Sequence, residues 1–178
     1  TNAVTAYATL DSLRSQGFVI PGEAIKDGFA TTSWPARFEI LREEPPVIVD
    51  SAHNPASVGK LRGAIDQYFP DRPLILVFGI SEDKQLRGML EEILPRTAHL
   101  ITTQSDHPRA MDADLLLSEA KEWDCPSEAV KEVNQALERA LDLADEDQII
   151  LVTGSIFVAA SARIAWNEGF DQGQALSK

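Results

Sequence analysis

The chain has 178 residues, enough for one domain, or for one domain and a piece of another. Its 16 Lys and Arg against 28 Asp and Glu leave a net charge of −12. That balance speaks against a nucleic-acid-binding stripe and against polybasic docking on an anionic membrane. The 44% of hydrophobic residues suit a folded core, and the single cysteine, Cys125, excludes an internal disulfide or a cysteine metal cluster. With no basic, apolar leader and no membrane-length apolar run, neither nucleic acid nor membrane is an expected partner, and a cytoplasmic location is expected.

In chain order, Thr1 to Gln16 reads as a helix, with Ala3, Tyr7, Leu10 and Leu13 at helical spacing and Gly17 placed to stop it. There is no initiator Met, so the opening reads as the end of something longer. Gly22–Ala30 is a second short helix, and Ser33-Trp34-Pro35 a connector. Arg37 to Leu41 then alternates Phe38 and Ile40 with polar residues, which is the period of a strand. Glu43 to Pro46 is a turn, and Val47–Val49 an antiparallel neighbour of the first strand.

From there the rhythm is strand, loop, helix. Helix Pro55–Phe69 leads to strand Leu74–Phe78 and to helix Gln85–Leu94, which Pro95 ends. Strand Leu100–Thr103, helix Asp112–Trp123 and strand Ala129–Val133 follow. Helix Asn134–Ala144, capped by Asn134, strand Gln148–Thr153 and helix Ile156–Trp166 complete the pattern. Residues 171–178 read as a flexible polar tail. The expected fold is α/β: a Rossmann-like, three-layer, mostly parallel sheet with one antiparallel edge strand, preceded by two helices.

Ligands of such sheets collect at the C-terminal strand ends. That rule selects the loops Asp50–Asn54, Gly79–Lys84, Thr103–Arg109 and Gly154–Ser155. Asp50 can accept ribose hydroxyls, and His53 with Asn54 can face phosphates; equally, Asp50 and Asn54 can simply cap the turn and the helix. Lys84 can grip a carboxylate or phosphate as a point charge, or stand as a solvated loop residue. Arg109 offers a two-pronged fork for a carboxylate, or a surface partner for Asp106. Ser155 is a helix cap, or a hydroxyl facing a ligand carboxylate.

Several easy answers fail. Gly59-Lys60 is followed by Leu61, and Asn54 stands where a P-loop needs its first glycine. No dinucleotide G-x-G-x-x-G occurs. Phe157 stands where a nucleophile elbow needs its second glycine. His53, His99 and His107 lack metal-ligand spacing, so no metal site is expected within the chain.

Taken together, five segments carry a resemblance: Trp34 to Leu41 (W-P-A-R-F-E-I-L), Val47 to Pro55 (V-I-V-D-S-A-H-N-P), Val77 to Lys84 (V-F-G-I-S-E-D-K), Pro108-Arg109-Ala110 and Leu151 to Ser155 (L-V-T-G-S). The chain resembles the C-terminal domain of the folylpolyglutamate and dihydrofolate synthases, in the Mur ligase superfamily, from about Asn2 to Trp166. The resemblance implies ATP-dependent amide formation. A folate or pteroate carboxylate takes the γ-phosphate, and the amine of L-glutamate then displaces phosphate from the acyl phosphate.

Residue by residue, the resemblance implies an ATP-binding set of Arg37, Asp50, His53 and Asn54. It implies a glutamate-binding set of Lys84, Ser155 and the weaker match Arg109, with His53 and Lys84 forming the catalytic set. ATP and Mg²⁺ are the implied cofactors, the magnesium ligands and the P-loop belonging to a preceding ATPase domain that is the implied partner. Residues 1–33 are then the last helices of that ATPase domain, and 34–170 the ligase C-terminal domain. The chain departs from the family at Ala36 and Ser51, where glycine is usual, which adds a Cβ in a hinge and in a nucleotide-facing turn. The alternatives are another Mur-type amide ligase, or a stand-alone α/β ligand-binding module.

Overall fold

The computed structural model describes residues 2–82 and 84–170. The expected tail, 171–178, lies outside the described residues. The chain divides into two compact units, Thr1–Pro35 and Ala36–Lys178. The first carries helices α1 (Asn2–Ser15) and α2 (Gly22–Thr31). α1 ends in a paired bond, Gly17 N–H to the Arg14 carbonyl and Phe18 N–H to the Leu13 carbonyl, which satisfies its last carbonyls. α1 buries no residue, and α2 buries Ile25.

The second unit is a single sheet with helices on both faces. Its strands are β1 (Glu39–Glu43), β2 (Pro46–Val49), β3 (Leu74–Phe78), β4 (Thr97–Gln104), β5 (Ser127–Glu132) and β6 (Ile149–Thr153), ordered β1-β2-β6-β3-β4-β5. β2 to β6 run parallel, and β1 pairs antiparallel with β2 at the edge. The helices are α3 (Pro55–Tyr68), α4 (Leu86–Ile93), α5 (Ala113–Ala120), α6 (Val133–Leu143) and α7 (Ile156–Ala165).

Successive strand residues point to opposite faces, and both faces are buried. Leu74, Leu76 and Phe78 of β3 join one core cluster with α3, α4 and α5. Ile75 and Val77, with Ile150 and Val152 of β6, join a second cluster with α6 and α7. That is the three-layer parallel architecture expected from the near-continuous apolar strands.

The differences from the sequence reading have local causes. The first strand starts at Glu39 rather than Arg37, because Ala36 (φ 55°) and Phe38 (φ 47°) take left-handed conformations that no strand accommodates. β4 starts at Thr97, so His99 lies within the strand, its Nε2 3.1 Å from Glu128. β5 spans Ser127–Glu132 and runs directly into α6, so Glu132 is the cap and Asn134 lies inside the helix. α5 is shorter than expected, ending at Ala120, and its cap is Asp112.

Candidate functional site

The strand order reverses around β6: the chain passes from β2 to β3, outward to β4 and β5, then returns to insert β6 between β2 and β3. Loops diverge at such a switch point and leave a crevice above the strand ends. Here the crevice is built by backbone bonds between loops. Asp50 N–H donates to the Val152 carbonyl, Gly154 N–H to Ala52, and Gly79 N–H to Thr153. Ser51 N–H donates to the Ala36 carbonyl, which ties the segment bearing Arg37 to the same cluster.

The Lys84 and Arg109 loops are fastened to each other. Ser81 and Ala110 form an isolated antiparallel bridge. Glu82 N–H donates to the Arg109 carbonyl, and Met111 N–H to Ile80. Lys84 N–H closes its own turn onto the Ser81 carbonyl. The packing is close at the glycines. A Cβ on Gly154 would lie 2.6 Å from the Gly79 oxygen, and one on Gly79 would lie 2.9 Å from Val158 and against the Thr103 carbonyl.

These loops enclose a cleft of about 230 Å³. Arg37, His53, Lys84, Arg109 and Ser155, named separately from the sequence, all line it, together with Ser51, Ser81, Gly154, Ile156 and Phe157. The formal cations converging there suit an anionic ligand. A wider groove of about 540 Å³ lies elsewhere on the same unit, lined by Asp106, Glu132, Glu138 and Glu168. Its ring of carboxylates makes it a poor host for a phosphate or a dicarboxylate.

The individual side chains differ in what they have left to offer. His53 Nδ1 lies 2.9 Å from the Ser51 carbonyl. A carbonyl can only accept, so Nδ1 carries the proton and Nε2 is the ring's remaining polar atom. Asn54 accepts from Ser57 N–H at 2.9 Å, while the Ser57 hydroxyl receives the Asn54 N–H. This is a reciprocal cap of α3, and Asn54 is not among the cleft-lining residues. Ser155, buried at the end of β6, caps α7 by accepting from Phe157 N–H at 3.1 Å.

Asp50 is also outside the cleft lining. Its Oδ1 accepts from Ala52 N–H and its Oδ2 from Phe38 N–H, each at 2.8 Å. A carboxylate has about four acceptor positions, so these bonds leave capacity for a sugar hydroxyl.

Ser51, noted from the sequence as an added Cβ in a nucleotide-facing turn, lines the cleft, whereas Ser81 and an aromatic pair at the rim were not singled out. His107 stacks on Phe157, with centroids 3.9 Å apart and planes at 19°. His107 Nδ1 accepts from Arg109 N–H at 3.2 Å. No local pattern announces that pair; it arises because the loop after β4 meets the first turn of α7. Among the described residues, no three His, Cys, Asp or Glu side chains converge to hold a metal ion. No helix there is long and apolar enough to cross a membrane.

The fold is a mostly parallel, three-layer α/β domain with a cation-lined cleft at its topological switch point. Residues 36–156 match the model of the Mur ligase glutamate ligase domain, and the chain belongs to that family. It is 37% identical, over 83% of its length, to a probable bifunctional folylpolyglutamate synthase/dihydropteroate synthase of Haloferax volcanii, of which it spans 17%. It is 30% identical, over 91% of its length, to the dihydrofolate synthase/folylpolyglutamate synthase of Mycobacterium tuberculosis, of which it spans 37%. The structure of Escherichia coli FolC in complex with DHPP and ADP superposes with a TM-score of 0.79 at 29% identity, covering 97% of this chain and 39% of that one. The chain thus matches the C-terminal domain of such synthases and spans well under half the length of these relatives.

Proposed function

We propose that this chain is the glutamate- and nucleotide-contacting part of a cytoplasmic, ATP-dependent ligase that adds L-glutamate to pteroate or folates. The observation that carries the reading is the convergence of Arg37, His53, Lys84, Arg109 and Ser155 on one cleft at the switch point. Their roles follow from their chemistry. The Arg37 guanidinium takes phosphate oxygens through its planar fork. His53 turns its Nε2 edge toward the same phosphates, and Asp50 accepts from the ribose while holding the loop. Lys84 neutralises a carboxylate of the incoming glutamate, with Arg109 and the Ser155 hydroxyl fixing its angle. Asn54 serves the nucleotide indirectly, by capping the helix whose first turn faces it.

ATP supplies the phosphoryl group that turns the acceptor carboxylate into an acyl phosphate. This chain holds the nucleotide and the glutamate side by side, so that the amine meets the acyl phosphate carbonyl and displaces phosphate with water excluded. In this reading magnesium and the P-loop belong to a preceding ATPase domain, as the family resemblance implies. Residues 1–33 are assigned to the end of that domain, where Val4 and Phe18, now 71% and 61% exposed, are covered.

The test is ADP release by the full-length enzyme. It is expected to require both L-glutamate and a pteroate or folate, and to stay at background with a muramyl peptide and its amino acid. Turnover with the muramyl substrate alone would favour the other branch of the family. Ligand binding with no turnover on either substrate would favour a stand-alone binding module.

A further inference from the structure

Arg37 stands between two backbone anomalies. Ala36 has φ 55° and Phe38 φ 47°, a left-handed backbone that is unfavourable for a residue carrying a Cβ. The pair persists only if the surroundings hold it. Two carboxylates do so. Ala36 N–H donates to Glu39 Oε2 at 2.7 Å, and Phe38 N–H to Asp50 Oδ2 at 2.8 Å.

Glu39 is fixed in turn from a distant part of the chain. Arg163, on α7, donates Nε to both Glu39 oxygens, at 2.9 and 3.0 Å. The neighbours of Arg37 are also anchored by packing: the Ala36 methyl sits in one core cluster, and Phe38 packs on the other and against Tyr68. Both therefore point inward, and Arg37 alone of the three lines the cleft.

We infer that Glu39 and Arg163 are positioning residues for Arg37: a relay in which Arg163 orients Glu39, and Glu39 holds the left-handed turn that presents the Arg37 guanidinium. Neither lines the cleft, and the Arg163 Nε and the Glu39 carboxylate are spent on each other and on the Ala36 N–H. The relay runs from α7, whose cap residue Ser155 is itself in the cleft, so one helix supports both the nucleotide arginine and the amino-acid serine. The inference rests on the proposed role of Arg37 with ATP phosphates.

The test is a double-mutant cycle in the full-length enzyme, with Arg37→Ala, Arg163→Met and their combination, varying ATP and glutamate in turn. A misplacement of about 1 Å can cost on the order of 100-fold. Arg163→Met is therefore expected to lower kcat/KM for ATP by roughly 10- to 100-fold, with the KM for glutamate little changed. In the Arg37→Ala background the same substitution is expected to cost less than about twofold, because the group it positions is gone.

Glu39→Gln, which keeps a carbonyl oxygen for Ala36 N–H, is expected to lose less than Glu39→Ala. A melting temperature measured on each variant separates positioning from unfolding. If Arg37→Ala leaves the ATP dependence unchanged, the role of Arg37 is wrong. If Arg37→Ala impairs ATP use but Arg163→Met does not, or if the two losses multiply, the relay is wrong.

Discussion

Gly154 is the residue on which the cleft geometry depends most sharply. It holds φ at +105°, and a Cβ there would meet the Gly79 carbonyl at 2.6 Å and the Phe78 ring at 2.9 Å. Both neighbours are core, so neither gives way cheaply. Gly154→Ala is expected to destabilise the domain by about 2–5 kcal/mol, the sum of left-handed strain and overpacking. A urea midpoint within experimental scatter of the wild type would show that the strand-end loops are looser than described. Lys84 and Arg109 are different in kind. Their loops are fastened by backbone hydrogen bonds that a side-chain substitution leaves in place, so losses there are expected in ligand use rather than in folding.

Among the elements, helix caps tie local chemistry to pH. Asp112 accepts from the Asp114 and Leu115 N–H groups at the start of α5. The Leu115 bond above all, aided by the Asp114 bond and by Lys131, holds its carboxyl below the ordinary aspartate value. A group with a lowered folded pKa contributes stability above its unfolded value and loses it as pH falls through the folded one. Asp112→Asn keeps an acceptor oxygen and removes the charge. It is expected to be less stable than the wild type near neutral pH, with the difference shrinking below about pH 4. A difference that stays constant down to about pH 2 would mean that the Asp112 charge does not support the cap.

The same scale explains what was legible beforehand. The apolar runs Leu74–Phe78 and Ile149–Val152 read as strands because burial on both faces removes polar alternation. Lys84, Arg109 and Ser155 were legible as site residues because they follow strands, and parallel strands deliver their ends to one rim. The start of β1 was not legible, since the left-handed turn at Ala36 and Phe38 is imposed by acceptors on Glu39 and Asp50 rather than by local propensity. The Arg163–Glu39 contact spans 124 residues of sequence, and no periodicity announces it.

At the scale of the molecule, the proposed function makes this chain one part of a reaction centre. It places cations and a buried serine around a cleft, yet contains no P-loop sequence. The 178-residue chain alone is expected to show no ATP turnover coupled to glutamate and folate; coupled turnover by the purified chain would overturn the assignment of the phosphate machinery to another domain.

The division of labour within the cleft is the central claim, and steady-state kinetics of Lys84→Ala in the full-length enzyme, varying each substrate in turn, test it most directly. Losing a charge-assisted contact to a bound carboxylate costs on the order of 1.5–3 kcal/mol, or roughly 10- to 150-fold in kcat/KM. The account predicts that loss for glutamate, with the ATP dependence little changed, and the opposite pattern for Arg37→Ala. A Lys84→Ala enzyme whose glutamate dependence matches the wild type, or whose defect lies in ATP alone, would contradict it.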